Sequence, residues 1–121
     1  MTRVTMEQKR AQDAWEKAAQ GLQQHSKDYM NDAKGLPALI MNSGLMQVMA
    51  FLEQKGGRHV TLGRHLRQWL HQTRNTPEGF NEFMEEMMQA DSRKFQAVTT
   101  EAFAWLRWLR QMAAARQGGD Q

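Results

Sequence analysis

The stretch Phe95-Gln96-Ala97-Val98-Thr99-Thr100-Glu101-Ala102-Phe103-Ala104-Trp105-Leu106-Arg107-Trp108-Leu109-Arg110-Gln111-Met112-Ala113 carries the densest apolar material in the chain. At about 100° per residue, Phe95, Val98, Ala102, Trp105, Leu106, Leu109, Met112 and Ala113 fall in one arc about 120° wide, a full core-facing helical stripe. Phe103 flanks the stripe on one side and Trp108 on the other, so this helix offers aromatic surface to more than one neighbour. Either it is the central helix of a small bundle, or the Trp108 flank meets another chain. Burial within its own fold is the plainer reading of Trp108.

Few β-branched residues, two prolines and many Gln, Ala, Met, Arg and Glu favour helix, because unbranched side chains lose little rotamer freedom there. No segment alternates like a strand. A length of 121 residues predicts one all-α domain over residues 1–121, a compact bundle of about five or six helices with a frayed tail at about 117–121. Such a domain buries about two thirds of its extended surface. The absence of cysteine removes disulfides and thiolate zinc sites and fits a reducing cytoplasm. With no apolar leader and no run near about 20 apolar residues, the expectation is a soluble cytoplasmic protein with no membrane partner. A net charge of +3 is a mild bias towards polyanions, and its distribution says more.

Thr5-Met6-Glu7-Gln8 reads as a capping box opening a long first helix. Ala11, Ala14, Trp15, Ala18, Leu22, His25 and Tyr29 share its apolar face, with Trp15 and Tyr29 as fillers, and Lys9, Asp13, Glu16, Lys17, Gln24 and Lys27 lie opposite. Gly21 inside this pattern costs up to about 1 kcal/mol against alanine and demands a packing reason. His25 reads as a hydrogen-bonded core histidine. Lys34-Gly35-Leu36-Pro37 predicts a break and a second segment from Pro37 to about Gln54, with Leu36, Leu39, Ile40, Leu45, Val48, Met49 and Leu52 inward. Asn42-Ser43-Gly44 marks a bend and Lys55-Gly56-Gly57-Arg58 a turn.

Thr61 is expected to cap a third helix with Leu62, Leu66, Trp69, Leu70 and Thr73 inward. Arg64, Arg67, His71 and Arg74 then line up within about 80° of arc as a basic solvent ridge. From Lys55 through Thr76 there are five basic residues, three histidines and no acid. Thr76-Pro77-Glu78 is a helix start, followed by an apolar stripe of Phe80, Phe83, Met84, Met87 and Met88 and an acidic side of Glu78, Glu82, Glu85 and Glu86. Asp91-Ser92 caps the last helix, which runs to about Arg116.

Nothing in this pattern supports an enzyme or a bound cofactor. GxSxG, HExxH and GxxxxGK[ST] are absent, and His59, His65 and His71 are six residues apart, which turns successive ones about 120° from each other, unlike the i, i+4 pair of helical zinc sites. Arginines beside aromatics suit single-stranded nucleic acid, where guanidinium groups hold phosphates and bases stack on side chains. Lys55, Arg58, Arg64, Arg67 and Arg74 are the candidate RNA-binding track, with Phe103, Arg107 and Arg110 on the last helix as a second basic side. Glu78, Glu82, Glu85, Glu86 and Trp108 are candidate protein contacts.

At Leu36-Pro37-Ala38-Leu39-Ile40 with Asn42-Ser43-Gly44-Leu45-Met46-Gln47-Val48-Met49-Ala50-Phe51, and again at Thr100-Glu101-Ala102-Phe103-Ala104-Trp105-Leu106-Arg107-Trp108-Leu109-Arg110, the chain resembles the small subunit of the Cmr-type, type III-B CRISPR effector complex. Lys55 stands where that family's lysine ends the first stretch; Phe95 replaces a frequent tyrosine, and Met46 and Met49 are bulkier than usual. The resemblance implies an all-helical, non-catalytic subunit of an antiviral effector ribonucleoprotein. It would stack in copies along the backbone, beside backbone and large subunits, and contact single-stranded target RNA. Two other readings stand beside it: a helix-turn-helix-like DNA-binding regulator using the 61–74 helix, and a protein-interaction bundle without nucleic acid.

Overall fold

A computed structural model describes residues 3–119, and among these there are six helices and no strand. They are α1 (Met6–His25), α2 (Lys27–Ser43), α3 (Leu45–Lys55), α4 (Arg58–Arg74), α5 (Phe80–Gln89) and α6 (Ser92–Gly119). The all-α bundle of five or six helices holds. Helix α6 packs most extensively on α1 and then on α2 and α4, and Trp105, Leu106 and Leu109 are fully buried. α6 runs past Arg116 to Gly119, and residues 120–121 of the expected frayed tail lie outside the described residues.

Several ends follow local chemistry read from the sequence. Thr5 and Gln8 form a reciprocal capping box, and Asp91 accepts the Lys94 amide at 2.8 Å at the head of α6. Gly44 ends α2 at φ 85, and Gly56 and Gly57 turn the chain between α3 and α4 with φ of 73 and 57, a region that favours glycine. Gly21 has its packing reason: a Cβ there would lie 2.4 Å from the Tyr29 ring.

The first break is displaced. No break occurs at Lys34-Gly35-Leu36-Pro37; α2 runs through Pro37, and the chain turns instead at Ser26, φ 56. Tyr29, Ala33, Leu36 and Ile40 are all buried at helical spacing on both sides of Pro37, so one apolar stripe outweighs the hydrogen bond that proline removes.

The inward face of α1 is also rotated from the expected one. Ala14, Ala18 and Gly21 are buried with Asp13 and Lys17, whereas Trp15 is 42% exposed and stacks under the Arg116 guanidinium at 3.6 Å. The small residues make a channel for Tyr29 and Trp105 that a second indole would overfill. Asp13 is drawn in because it accepts the Trp105 indole N–H at 2.8 Å, and Lys17 follows to neutralise it at 3.0 Å.

α4 begins at Arg58, three residues ahead of the expected cap; Thr61 is buried and shares a hydrogen bond with His25 Nε2 at 3.0 Å. Thr76-Pro77-Glu78 is loop rather than the start of α5, because Arg67 donates to the Glu78 carbonyl at 2.7 Å and the Thr76 carbonyl bonds His71 Nδ1 at 2.8 Å. Those bonds keep the segment out of helix up to Gly79, the N-cap of α5. Leu39 and Met88, both expected inward, are exposed.

Candidate nucleic-acid interface

The five candidate RNA-binding cations do not form one ridge. Arg67 is the clearest correction: it is only 5% exposed, and its guanidinium bonds the Glu78 carbonyl, reaches Met49 Sδ at 3.5 Å, lies 3.9 Å from Glu53 and sits over the Phe80 ring. Burial pushes its pKa down, and the nearby Glu53 charge opposes that. It is a strut between α3, α4 and the loop before α5. A 60° offset from Arg64 on a half-buried helix turns it from solvent to core. Arg74 stays exposed but leans on Glu101 at 3.4 Å. Arg58 donates to Asp32 at 2.7 Å and lies 4.0 Å from Asp28, fastening α4 to α2. Among the described residues, Arg64 and Lys55 have no carboxylate within ion-pair distance.

What the fold does bring together is the α3–α4 corner. Phe51 is 39% exposed, Lys55 Nζ lies 5.7 Å from its ring centroid, and the His59 ring meets it edge-on at 6.0 Å. Arg58 precedes His59 in the chain, but its guanidinium is directed to Asp32 and Asp28. Phe51 was not among the candidate RNA residues; the signal for it was the aromatic four residues before Lys55, one helical turn away. An exposed aromatic ring flanked by cations can stack a base and hold its phosphates.

Glu101 was equally missed. It is buried and accepts from Arg10 Nε at 2.7 Å, Arg10 Nη2 at 2.9 Å and the Trp69 indole N–H at 2.9 Å, tying α1, α4 and α6 at one carboxylate. Burial alone would push its pKa up, but the bonds from Arg10 and Trp69 and the charges of Arg10 and Arg74 outweigh that and hold it low. A single acid at i+3 from Val98 and i−4 from Trp105, at the edge of the apolar stripe, was the available clue. Trp108 is half-buried against the core and its indole N–H donates to Glu7.

The acidic candidates lie together on and before α5: Glu78, Glu82 and Glu85 are exposed, and Glu86 pairs with Lys94 at 2.9 Å. On α6, Phe103, Arg107 and Arg110 line a groove of about 390 Å³ with Pro37 and Met41 of α2. No helix among the described residues is long and apolar enough to cross a membrane. As a DNA-reading helix α4 is poorly placed, since Thr61, Leu62, Gly63 and His65 at its start are buried.

The fold is an all-α bundle whose exposed candidate acids lie on and before α5 and whose candidate cations unpaired among the described residues, Lys55 and Arg64, lie on α3 and α4. The chain belongs to the CRISPR-associated protein (Cas_Cmr5) family, whose model matches residues 6–116. It is 29% identical over 94 residues to the CRISPR system Cmr subunit Cmr5 of Thermotoga maritima, covering 78% of this chain and 70% of that one. It is likewise 29% identical over 107 residues to the Thermus thermophilus Cmr subunit Cmr5, covering 87% and 90%. A crystal structure of a Cmr5 family protein from Thermus thermophilus superposes with a TM-score of 0.80 at 29% identity, covering 93% of this chain and 97% of the other.

Proposed function

We propose that the protein is the non-catalytic small subunit of a Cmr-type CRISPR effector ribonucleoprotein in the cytoplasm. In this reading it stacks in copies beside backbone and large subunits and contacts single-stranded target RNA through a basic face in antiviral defence. Family membership supports the first part. The observation that carries the RNA contact is the Phe51, Lys55, Arg58 and His59 cluster at the α3–α4 corner. Arg64, exposed on α4 about 120° round the helix from Arg58, is a separate cation, and Arg74 adds a more distant contact held back by Glu101. Arg67 serves by holding α4 in place. The cations are assigned to the sugar-phosphate, whose contacts position a strand without reading its sequence.

On a single strand each neutralised phosphate contributes roughly 0.7 to the slope of log affinity against log salt, so Lys55 and Arg64 give about −1.4 per copy, and Arg58, on leaving Asp32, brings that to about −2. Replacing these three by alanine in the assembled complex and titrating target RNA at several salt concentrations tests this. A flatter slope with equal loss for unrelated RNA sequences is the expected result. An unchanged slope would remove the α3–α4 corner from the RNA path.

A further inference from the structure

We infer that the groove between α2 and α6 seats helix α5 of a second copy of this chain. The inference rests on the stacking reading above and adds where the copies meet. The groove's lining is part apolar and part basic. Pro37, Met41, 78% exposed, and Phe103 are its apolar lining, and Arg107 and Arg110 its basic lining, with no carboxylate within ion-pair distance of either arginine among the described residues. A neighbouring hollow of about 360 Å³ shares Phe103 and runs on past Thr100, Thr99 and Phe95, so the trough continues along α6.

Helix α5 carries the complementary pattern. Met88 is 66% exposed, and Glu82 and Glu85 are exposed beside it, whereas Glu86 is already taken by Lys94. Glu82, Glu85 and Met88 follow one another at three-residue steps, which spreads them over about 9 Å of helix at about 1.5 Å per residue. Arg110, Arg107 and Phe103 cover about 10.5 Å by the same rise. Laid antiparallel, Met88 falls on Phe103 and Met41, Glu85 faces Arg107, and Glu82 faces Arg110. An amphipathic helix set in an apolar groove with charged margins is a recurring mode of recognition.

The two surfaces are unlike and lie on different elements, since α5 packs on α3 and α4 rather than in the α2–α6 seam. A groove filled by a neighbour's α5 leaves that neighbour's groove and the first copy's α5 free, so the contact can repeat head to tail from copy to copy, unless two copies exchange α5 reciprocally across a two-fold axis. A covalent ladder rather than a single covalent dimer distinguishes the repeating form.

The chain has no cysteine, which makes the contact directly testable. A Met41→Cys, Met88→Cys double variant, assembled into the effector complex and oxidised, is expected to give a ladder of covalent multimers on a non-reducing gel. Neither single variant should do so. Glu82→Arg with Glu85→Arg, or Arg107→Glu with Arg110→Glu, should each weaken cross-linking roughly tenfold, and mixing the two reversed chains should restore it. No ladder from a complex whose native mass still shows several copies would overturn this docking and leave stacking intact. A single copy per complex would overturn both. Loss of RNA binding in the Arg107→Glu, Arg110→Glu variant with cross-linking unchanged would assign the groove to nucleic acid and overturn the docking.

Discussion

The Tyr29 ring fills the space where a side chain at Gly21 would be, so that a Cβ there would lie 2.4 Å from two of the ring carbons and 2.5 Å from a third. Tyr29 is fully buried and its hydroxyl shares a 2.8 Å hydrogen bond with His65 Nδ1, so the ring cannot swing aside. In a solvent-facing helix Gly→Ala stabilises by up to about 1 kcal/mol. Here the sign reverses: Gly21→Ala is expected to cost about 1 to 3 kcal/mol by overpacking. Chemical denaturation of the purified chain measures it, and a stabilised variant would show that the α1–α2 contact is looser than described.

Ser26 takes the opposite substitution. Its φ of 56 and ψ of −148 lie in a region nearly confined to glycine, and its side chain makes no capping bond to offset the strain. Ser26→Gly is expected to stabilise by about 1 kcal/mol, since relief of strain exceeds the added freedom of the unfolded chain. An increase in the denaturation midpoint at unchanged slope is the readout.

The sequence made the apolar side of the bundle legible and hid its polar interior. The stripe from Phe95 to Ala113, the caps at Thr5 and Asp91, and the glycine turns at Gly44 and Gly56-Gly57 are all local, and each appears where periodicity and backbone chemistry put it. Arg67, Asp13 and Lys17 read as surface because they are charged, and Glu101 drew no reading at all. Each is buried by a partner remote in sequence or by one that must itself be neutralised, and no local pattern contains that partner. The same cause split the candidate RNA track. Spacing aligned Arg64, Arg67 and Arg74 along one face of α4, but Arg67 and Arg74 are turned by acceptors on other elements. Pro37 shows the converse, a strong local signal overridden by the stripe from Tyr29 to Ile40.

Glu101 gives a third prediction. Replacing it by alanine leaves the Trp69 indole N–H and the Arg10 guanidinium without their acceptor where α1, α4 and α6 meet. Loss of one partner of a buried pair costs roughly 3 to 5 kcal/mol, and the partial exposure of Arg10 and Arg74 places this site near the lower end. Glu101→Gln keeps an acceptor and should cost less. An alanine variant as stable as the parent would mean that the carboxylate and its bonds contribute nothing to the fold.

His65 makes stability depend on pH in a window of its own. Burial pushes its pKa from 6.5 down to about 3, and the charges of Lys17, Arg64 and His25 push the same way. The unfolded chain therefore binds a proton between those values that the folded chain refuses, so stability is fully present above about pH 6.5 and falls as the pH drops towards 3. Glu101, held below its ordinary value, adds acid sensitivity only nearer pH 4.5 and below. Between pH 6.5 and 5, the slope contributed at this site is that of His65. His65→Gln removes the titrating ring and keeps polar atoms near the Tyr29 hydroxyl. The variant will be less stable at neutral pH, but its stability should change less than the parent's between pH 6.5 and 5. Urea denaturation of both chains across that range checks this, and parallel curves would mean that His65 accepts its proton in the folded state.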